Sequence, residues 1–357
     1  MPRRVRYLVV GLGYLSLKEH LVILRDLEGA DVVALCDTDP SRFPLAEEVL
    51  GREADKGSDG LAMIRRDDVD AVLIATPNHL HTELALAALE AKKAVFLEKP
   101  MAVDYGQALA IAEAAEAGGV PLQVGYVLRY AHLFARMREL LEEGAVGTPR
   151  VAWCHELRRA LPPGWRYSRA SSGGIFVEKS CHHLDLLQWF LGQRFVRAHA
   201  MGGQAVLRRG VPTEDIRGER FVVGGDIPDH AVLSLEGERG AHATLTVSFF
   251  APFKHRLEIG VHGEGGLLVA HEDASELHLT RAAGDVEVIR VTHPEGIDEP
   301  MHKGSLEQHR RFLAAVRGEA PVVADGWLGL EGLIPAFMAE RSLDEGRPVS
   351  REEITGA

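Results

Sequence analysis

From Val5 to Tyr126 one pattern repeats: a short, nearly unbroken apolar run, a small or acidic residue at its end, then a helical segment. The runs are VRYLVV, DVVALC, DAVLIA, AVFL and VPLQV. Runs of this length without polar alternation are strands buried on both faces. Their alternation with helices indicates βαβ units and a parallel sheet. Nothing else in the chain limits its fold as tightly. Open sheets of this kind bind ligands beyond the carboxyl ends of their strands, so the residues there are the first candidates for function.

The first strand ends in Gly11-Leu12-Gly13-Tyr14-Leu15-Ser16, a GxGxxG turn with serine at the third position. Gly11 allows the tight turn, Gly13 lets a pyrophosphate approach the backbone, and the following helix offers amide donors at its positive end. Ser16 is small enough for close helix–strand packing. Asp37 ends the second strand 37 − 16 = 21 residues beyond Ser16. An acid there suits the two ribose hydroxyls of NAD and repels the 2′-phosphate of NADP, with Arg42 nearby as the residue that could serve a phosphate. A glycine-rich turn without a ligand is the alternative. The expected cofactor is NAD rather than NADP, held by Gly11, Leu12, Gly13, Tyr14, Leu15 and Asp37, by Thr76, Pro77, Asn78 and His81 after a later strand, and by Glu98 and Lys99. Lys99 ends another parallel strand, and Pro100 disfavours the α region there. Its ammonium could hydrogen-bond a substrate hydroxyl and stabilise developing alkoxide charge; a solvated strand-end lysine is the plainer alternative.

At 357 residues the chain exceeds one typical core and suggests two domains, 1–125 and 126–357, with the last helices packing back on the first. A formal charge of −12 argues against nucleic acid or an anionic membrane as main partner. No apolar run approaches the ~18 residues of a membrane span. MPRRVRYLVVGLG reads as a first strand rather than a signal peptide. Three distant cysteines with no CxxC spacing predict neither a disulfide framework nor a zinc knuckle and fit a reducing cytoplasm. Beyond residue 230 the pattern changes to period 2, in HAVLSLEG, GAHATLTVSFFA, HRLEIGVHGEGGLLVA, ELHLTR and VEVIRV, with glycine-rich turns between, which predicts antiparallel strands.

GGIFVEKSCHHLDLLQWFLG, residues 173–192, packs an acid, a lysine, a thiol and two imidazoles into Glu178–His183. Gly192 is a plausible helix cap. A helix starting at or just before Glu178 puts Glu178, His182 and Asp185 on one face and Lys179 with His183 on another. Three readings compete: a polar helix start, a zinc site of Glu178, Cys181 and His182 with His155 or Glu156 as a distant addition, and acid–base chemistry in which His182 exchanges a hydroxyl proton and Glu178 orients the ring.

GLGYLS, ATPNHLHTELALAALEAKKAVFLEKPMA, LLEEGAVGTPR, GWRYSRASSGGIFVEKSCHHLDLLQWFLG and FLAAVRGEAPVVADGWLGLEGLIPAFMAERSLDEGRPV together resemble the Gfo/Idh/MocA oxidoreductases almost end to end. The resemblance implies an α/β protein: a Rossmann domain followed by an α/β domain with a large, open, mainly antiparallel sheet. It also implies tightly bound NAD(P), sugar or cyclitol substrates, and homodimers or homotetramers formed through the open sheet. The family pattern is roughly GGGxLxDxGxHxxD. His182 and Asp185 match it, while Glu178 replaces the usual Asp and Ser180 the usual Gly. Lys179, at a usually apolar position, adds a second cation. Tyr126 and Arg129 fit a family-like pocket segment, from which a common Asn is missing. Trp165 and Arg166 could stack on a sugar ring and grip its hydroxyls, or merely anchor a loop.

The expected function is hydride transfer between NAD and a secondary alcohol or ketone of a sugar, glycoside or cyclitol. Lys99, His182 and Glu178 are the catalytic residues; Tyr126, Arg129, Trp165, Arg166, Lys179 and Asp185 bind substrate; no metal takes part. The rivals are a non-catalytic dinucleotide-binding regulator on the same fold and a metal-dependent lyase or hydrolase. His199, His242, His255, His262, His271, His278 and His293 read as ordinary.

Overall fold

The structure is a computed structural model, and it describes residues 4–209, 212–215, 218–222, 224–281, 284–292 and 304–356. His293 lies outside the described residues. The chain divides into two compact units, Met1–Ala131 with Gly296–Leu330, and His132–Glu295 with Glu331–Ala357.

In the first unit the strands are β1 (Val5–Val10), β2 (Ala30–Cys36), β3 (Asp55–Gly57), β4 (Ala71–Ile74), β5 (Ala94–Leu97) and β6 (Leu122–Val124). Among the described residues they form a six-stranded sheet in the order β3-β2-β1-β4-β5-β6, every pair parallel. The order reverses between β1 and β4, which opens a crevice beyond Val10 and Ile74. β3 carries no apolar run and had no signal in the sequence. Tyr7, Val9, Leu35, Leu73 and Phe96 fill the core with Phe312, from the helix Ser305–Val316. The division after Ala131 rather than after residue 125 has a local cause. The Tyr126 hydroxyl donates to the Gly329 carbonyl at 3.0 Å and the Tyr130 hydroxyl to Gln123 Oε1 at 3.4 Å, all within this unit.

The second unit contains β7 (Pro149–Arg158), β8 (Phe195–Gly203), β9 (Thr213–Glu214), β10 (Arg220–Phe221), β11 (His230–Gly237), β12 (His242–Ser248), β13 (His255–Gly263), β14 (Gly266–His271), β15 (Glu276–Arg281), β16 (Val286–Arg290) and β17 (Val349–Ser350). Among the described residues β9 and β10 pair alone, and the rest form a nine-stranded sheet, β16-β15-β14-β13-β7-β12-β11-β8-β17. It is antiparallel except between β7 and β12. Period 2 is visible in its burial: Ala231, Leu233 and Leu235 point inward on β11, while Val232 and Ser234 are exposed. On β7 the inward row is Ala152, Cys154 and Glu156, an acid where an apolar side chain is the rule. The helix Cys181–Leu191 packs against β7, and the helix His132–Glu142 against β14 and β15.

Candidate active site

The first unit gathers its candidates at the carboxyl ends of β1, β2, β4 and β5. Gly11 has φ +90°, and a Cβ there would come within 2.6 Å of the Ala75 carbonyl oxygen, so the turn admits only glycine. A Cβ at Gly13 would meet nothing within 4 Å and would project into open space beside the turn. That is the room a pyrophosphate needs to reach the backbone. The Ser16 hydroxyl donates to the Gly11 carbonyl at 2.5 Å, so serine at the third motif position closes the turn on itself. The Leu12 N–H donates to Asp37 Oδ2 at 2.7 Å and the Asp39 N–H to Oδ1 at 2.9 Å, which fixes the carboxylate beside the glycine turn. Tyr14 is exposed there, and Leu15 leads into a π-helical turn, Ser16–His20, ahead of the α-helix Leu21–Asp26. Arg42 is paired with Asp39 at 3.4 Å. An open glycine cradle with an oriented acid next to it fits a dinucleotide.

The Ala75 N–H donates to the Val10 carbonyl, which keeps Thr76 and Pro77, both half-buried, and the buried Asn78 next to that cradle. His81, expected at the cofactor, ties two loops together: its ring nitrogens lie 2.8 Å from the Pro100 carbonyl and 3.0 Å from that of Thr76. Lys99 is half-buried at the end of β5, and the Lys99–Pro100 peptide is cis. Glu98, also expected at the cofactor, is buried and turned back. Its Oε2 accepts the Lys99 N–H at 3.1 Å, its Oε1 lies 3.3 Å from His20 Nε2, and His20 Nδ1 lies 2.9 Å from His309 Nε2. Burial, with His20 beside it, holds His309 well below the usual imidazole range, so that end of the chain is neutral. Tyr126 departs most from expectation. It is fully buried, and its hydroxyl donates to the Gly329 carbonyl. Arg129 is half-buried.

In the second unit the Gly173–Gly174 pair has a steric cause. Gly173, at φ +87°, ends the helix Arg169–Ser172. Gly174 has φ +108°, and a Cβ on it would run into the Glu340 carboxylate. Glu340 accepts the Phe176 N–H at 2.6 Å, with Arg169 Nη2 at 3.6 Å. Burial pushes Glu340 up to about 7 against the pull of that amide and of Arg169. The segment it anchors is a π-helical turn, Phe176–Ser180, followed by the α-helix Cys181–Leu191 and a left-handed Gly192 cap. This corrects the expectation of a plain α-helix through Glu178. A π turn closes i→i+5 bonds and holds an extra residue, so Glu178 and His182 are not related by a simple α-helical i,i+4 step.

Glu178 is buried and lies 3.3 Å from Arg166 Nε, and the Arg166 guanidinium lies 4.5 Å from the centre of the Trp165 ring. The Trp165–Arg166 loop therefore braces Glu178. His182 and Asp185 are buried on the helix, and the His182 and His183 rings are 5.7 Å apart. Lys179 and His183 both reach Glu156, at 3.1 Å and 3.6 Å. Glu156 also accepts from His255 Nε2 at 2.9 Å and lies 3.4 Å from Arg158 Nη1. Burial pushes its carboxyl up, but Lys179, the His255 hydrogen bond, His183 and Arg158 outweigh this and hold it well below the usual carboxylate range. His255 is thus no ordinary histidine, and Glu156 is an ion-pair centre. Among the described residues no three His, Cys, Asp or Glu side chains are grouped to hold a metal ion.

Sequence reasoning missed Glu340 and the part played by Glu156. Nothing in the sequence marks Glu340, which lies 164 residues from its partner Phe176. Glu156 had a signal: an acid in phase with Ala152 and Cys154 on an inward strand face.

Residues 5–126 match the family model described as "Oxidoreductase family, NAD-binding Rossmann fold", and residues 134–269 match the "GFO/IDH/MocA C-terminal domain". The chain is 28% identical to myo-inositol 2-dehydrogenase of Thermotoga maritima over 98% of its own length and 99% of the relative's. It is 31% identical to inositol 2-dehydrogenase 3 of Saccharopolyspora erythraea over 73% and 72% of the two chains. Among solved structures, a probable dehydrogenase from Thermotoga maritima superposes with a TM-score of 0.80 at 27% identity, covering 98% of this chain and all of that one. An NAD-binding Rossmann oxidoreductase is the class that fold and cradle define. The chain belongs to the Gfo/Idh/MocA family within it.

Proposed function

We propose that the chain is an NAD(H)-linked dehydrogenase acting on a secondary alcohol of a sugar, glycoside or cyclitol. The observation that carries this reading is Lys99 at the carboxyl end of β5, in the same sheet as the glycine turn after β1, with only β4 between the two strands. A strand-end ammonium there suits an alcohol oxygen held near a nicotinamide. The inositol dehydrogenases to which the chain is similar support a cyclitol or sugar as substrate. Asp37, fixed beside the cradle, supports NAD over NADP.

When bound, NAD supplies the acceptor for the carbinol hydride. Lys99 donates a hydrogen bond to the substrate oxygen and stabilises its negative charge as the hydroxyl proton leaves. His182 takes that proton as general base and returns it in the reverse direction. Glu178, itself steadied by Arg166, favours the imidazolium. Asp185, Arg129, Trp165 and Arg166 meet the remaining hydroxyls. Tyr126 is left out of this set because its hydroxyl is committed to the Gly329 carbonyl, and Lys179 because its ammonium is paired with Glu156.

The outer face of the nine-stranded sheet exposes Val151, Met201, Val232 and Val288, which supports assembly of a homodimer or homotetramer through it. Cys36, Cys154 and Cys181 are buried and not joined in disulfides, in keeping with a reducing cytoplasm. A panel of sugars and cyclitols, assayed with both cofactors at the nicotinamide absorbance band, tests the reading. Cofactor binding without turnover of any member would leave a binding protein in place of a dehydrogenase.

A further inference from the structure

Glu156 has no part in the steps just described, yet it has the densest set of charged neighbours in the second unit's candidate region. It is fully buried on β7, and Lys179, His183, His255 and Arg158 surround its carboxylate. His255 leads on to Glu272, 3.3 Å from its other ring nitrogen. Two of the four partners belong to the catalytic segment. Lys179 stands in the π turn three residues before His182, and His183 stands in the α-helix one residue after it. One carboxylate on the sheet thus holds the segment on both sides of His182.

We infer that Glu156 is a positioning residue for the proposed reaction: by binding Lys179 and His183 together it fixes the π-to-α junction, and with it the direction of the His182 ring. The inference rests on the reading of His182 as proton carrier. A π turn is uncommon and persists where its surroundings select it. Slipping this turn back to α geometry by one residue would rotate Lys179 by about 100° away from the sheet. The buried carboxylate opposes that slip, because the slip would leave its charge without its closest firm cation. At the start of the same turn Glu340 holds the Phe176 amide, so the turn is fixed at both ends.

The test compares Glu156→Gln with the double variant Glu156→Gln/Lys179→Met, with His182→Ala in the same assay. In each, kcat, substrate KM, NAD affinity and Tm are measured. Glu156→Gln leaves the half-buried Lys179 ammonium without its acid, so Tm should fall. Its kcat should fall by about 10²-fold with NAD affinity intact, the scale of a small misplacement of a reacting group. The double variant removes both charges and should regain Tm, while its kcat at saturating substrate stays low. A purely structural ion pair would restore both together, and that result overturns the inference. A normal kcat in Glu156→Gln, or in the double variant should the single one not fold, overturns it as well. If His182→Ala turns over normally, the reading of His182 has failed and this inference with it. If His182→Ala is inactive while Glu156→Gln is normal, the inference alone has failed.

Discussion

The two units place their chemistry in different ways. In the first, every cofactor candidate follows the strand that positions it within a few residues, and the sheet itself brings Gly11, Asp37, Thr76 and Lys99 to one edge. In the second, the Phe176–Leu191 segment depends on partners far away in sequence. Glu340 holds its start, Glu156 on β7 its junction, and His255 on β13 the far side of that carboxylate. A parallel α/β edge is thus a site built by local connectivity, whereas the second site is built by tertiary ion pairs. The first should tolerate loss of one side chain with its fold intact. The second should couple function to stability.

The largest effects test the proposed roles. Lys99→Ala and His182→Ala should each lower turnover by ~10²–10⁴-fold, with NAD titrations unchanged. His183→Ala removes one of the two Glu156 contacts to the segment and should cost stability, with a smaller loss of rate than His182→Ala. If His183→Ala proves the more damaging to kcat, the roles of the two imidazoles are reversed. Glu178→Gln should slow the reaction and lower the apparent pKa of the base in the pH–rate profile, since the charge favouring imidazolium is gone.

Two glycines sharpen the contrast. Gly13→Ala adds a methyl to open space, so it should fold normally and bind NAD more weakly. Gly174→Ala places a side chain at φ +108° against Glu340 and should destabilise by at least ~1–3 kcal/mol. Thermal melts with and without NAD separate the two. Equal losses of Tm would mean that the cradle too is held by long-range packing.

Asp37→Ala should narrow the preference for NAD over NADP by one to two decades in affinity, ~1.4–2.8 kcal/mol. Tighter NADP binding in the unmodified protein would give the lead to another group, Arg42 being the nearest basic candidate.

Legibility followed the same division. Unbroken apolar runs and the GLGYLS spacing are local signals, and local signals survive in one dimension. They located the parallel sheet, the strands β1, β2, β4, β5 and β6, and the turn at Gly11, while β3, which has no apolar run, was missed. Even there the rotamers were not legible: the His81 ring nitrogens face the Pro100 and Thr76 carbonyls, and Glu98 turns back to the Lys99 amide and His20, because strand-end position says nothing about rotamer. The period-2 strands β11 to β16 were readable, but the parallel pairing of β7 with β12 was not: a single strand's pattern carries burial, not partner direction. The His182 segment was located and its α phase was not, because the π turn is selected by Glu340 and Glu156, which the sequence does not connect to it.

The smallest effect is the most specific to the second unit. Glu340 has its carboxyl raised to about 7 by burial, from the usual 4.5. Between those values the unfolded chain is ionised there and the folded one is protonated, so the native state binds more protons. Stability therefore falls as pH rises through this window and levels off above about 7. Glu156 has the opposite sign. Its depressed carboxyl contributes stability that is present above the usual 4.5 and is lost only in strong acid. Glu340→Gln keeps an oxygen for the Phe176 amide and removes the charge. The variant should gain on the unmodified protein as pH rises, by about 1 kcal/mol between pH near 6 and pH near 8. Denaturant unfolding at the two pH values measures this, and groups that titrate in both proteins cancel in the difference. A pH-independent difference would mean that Arg169 keeps Glu340 ionised throughout. The turn carrying Glu178 would then be anchored by an ion pair at its start as well as at its junction.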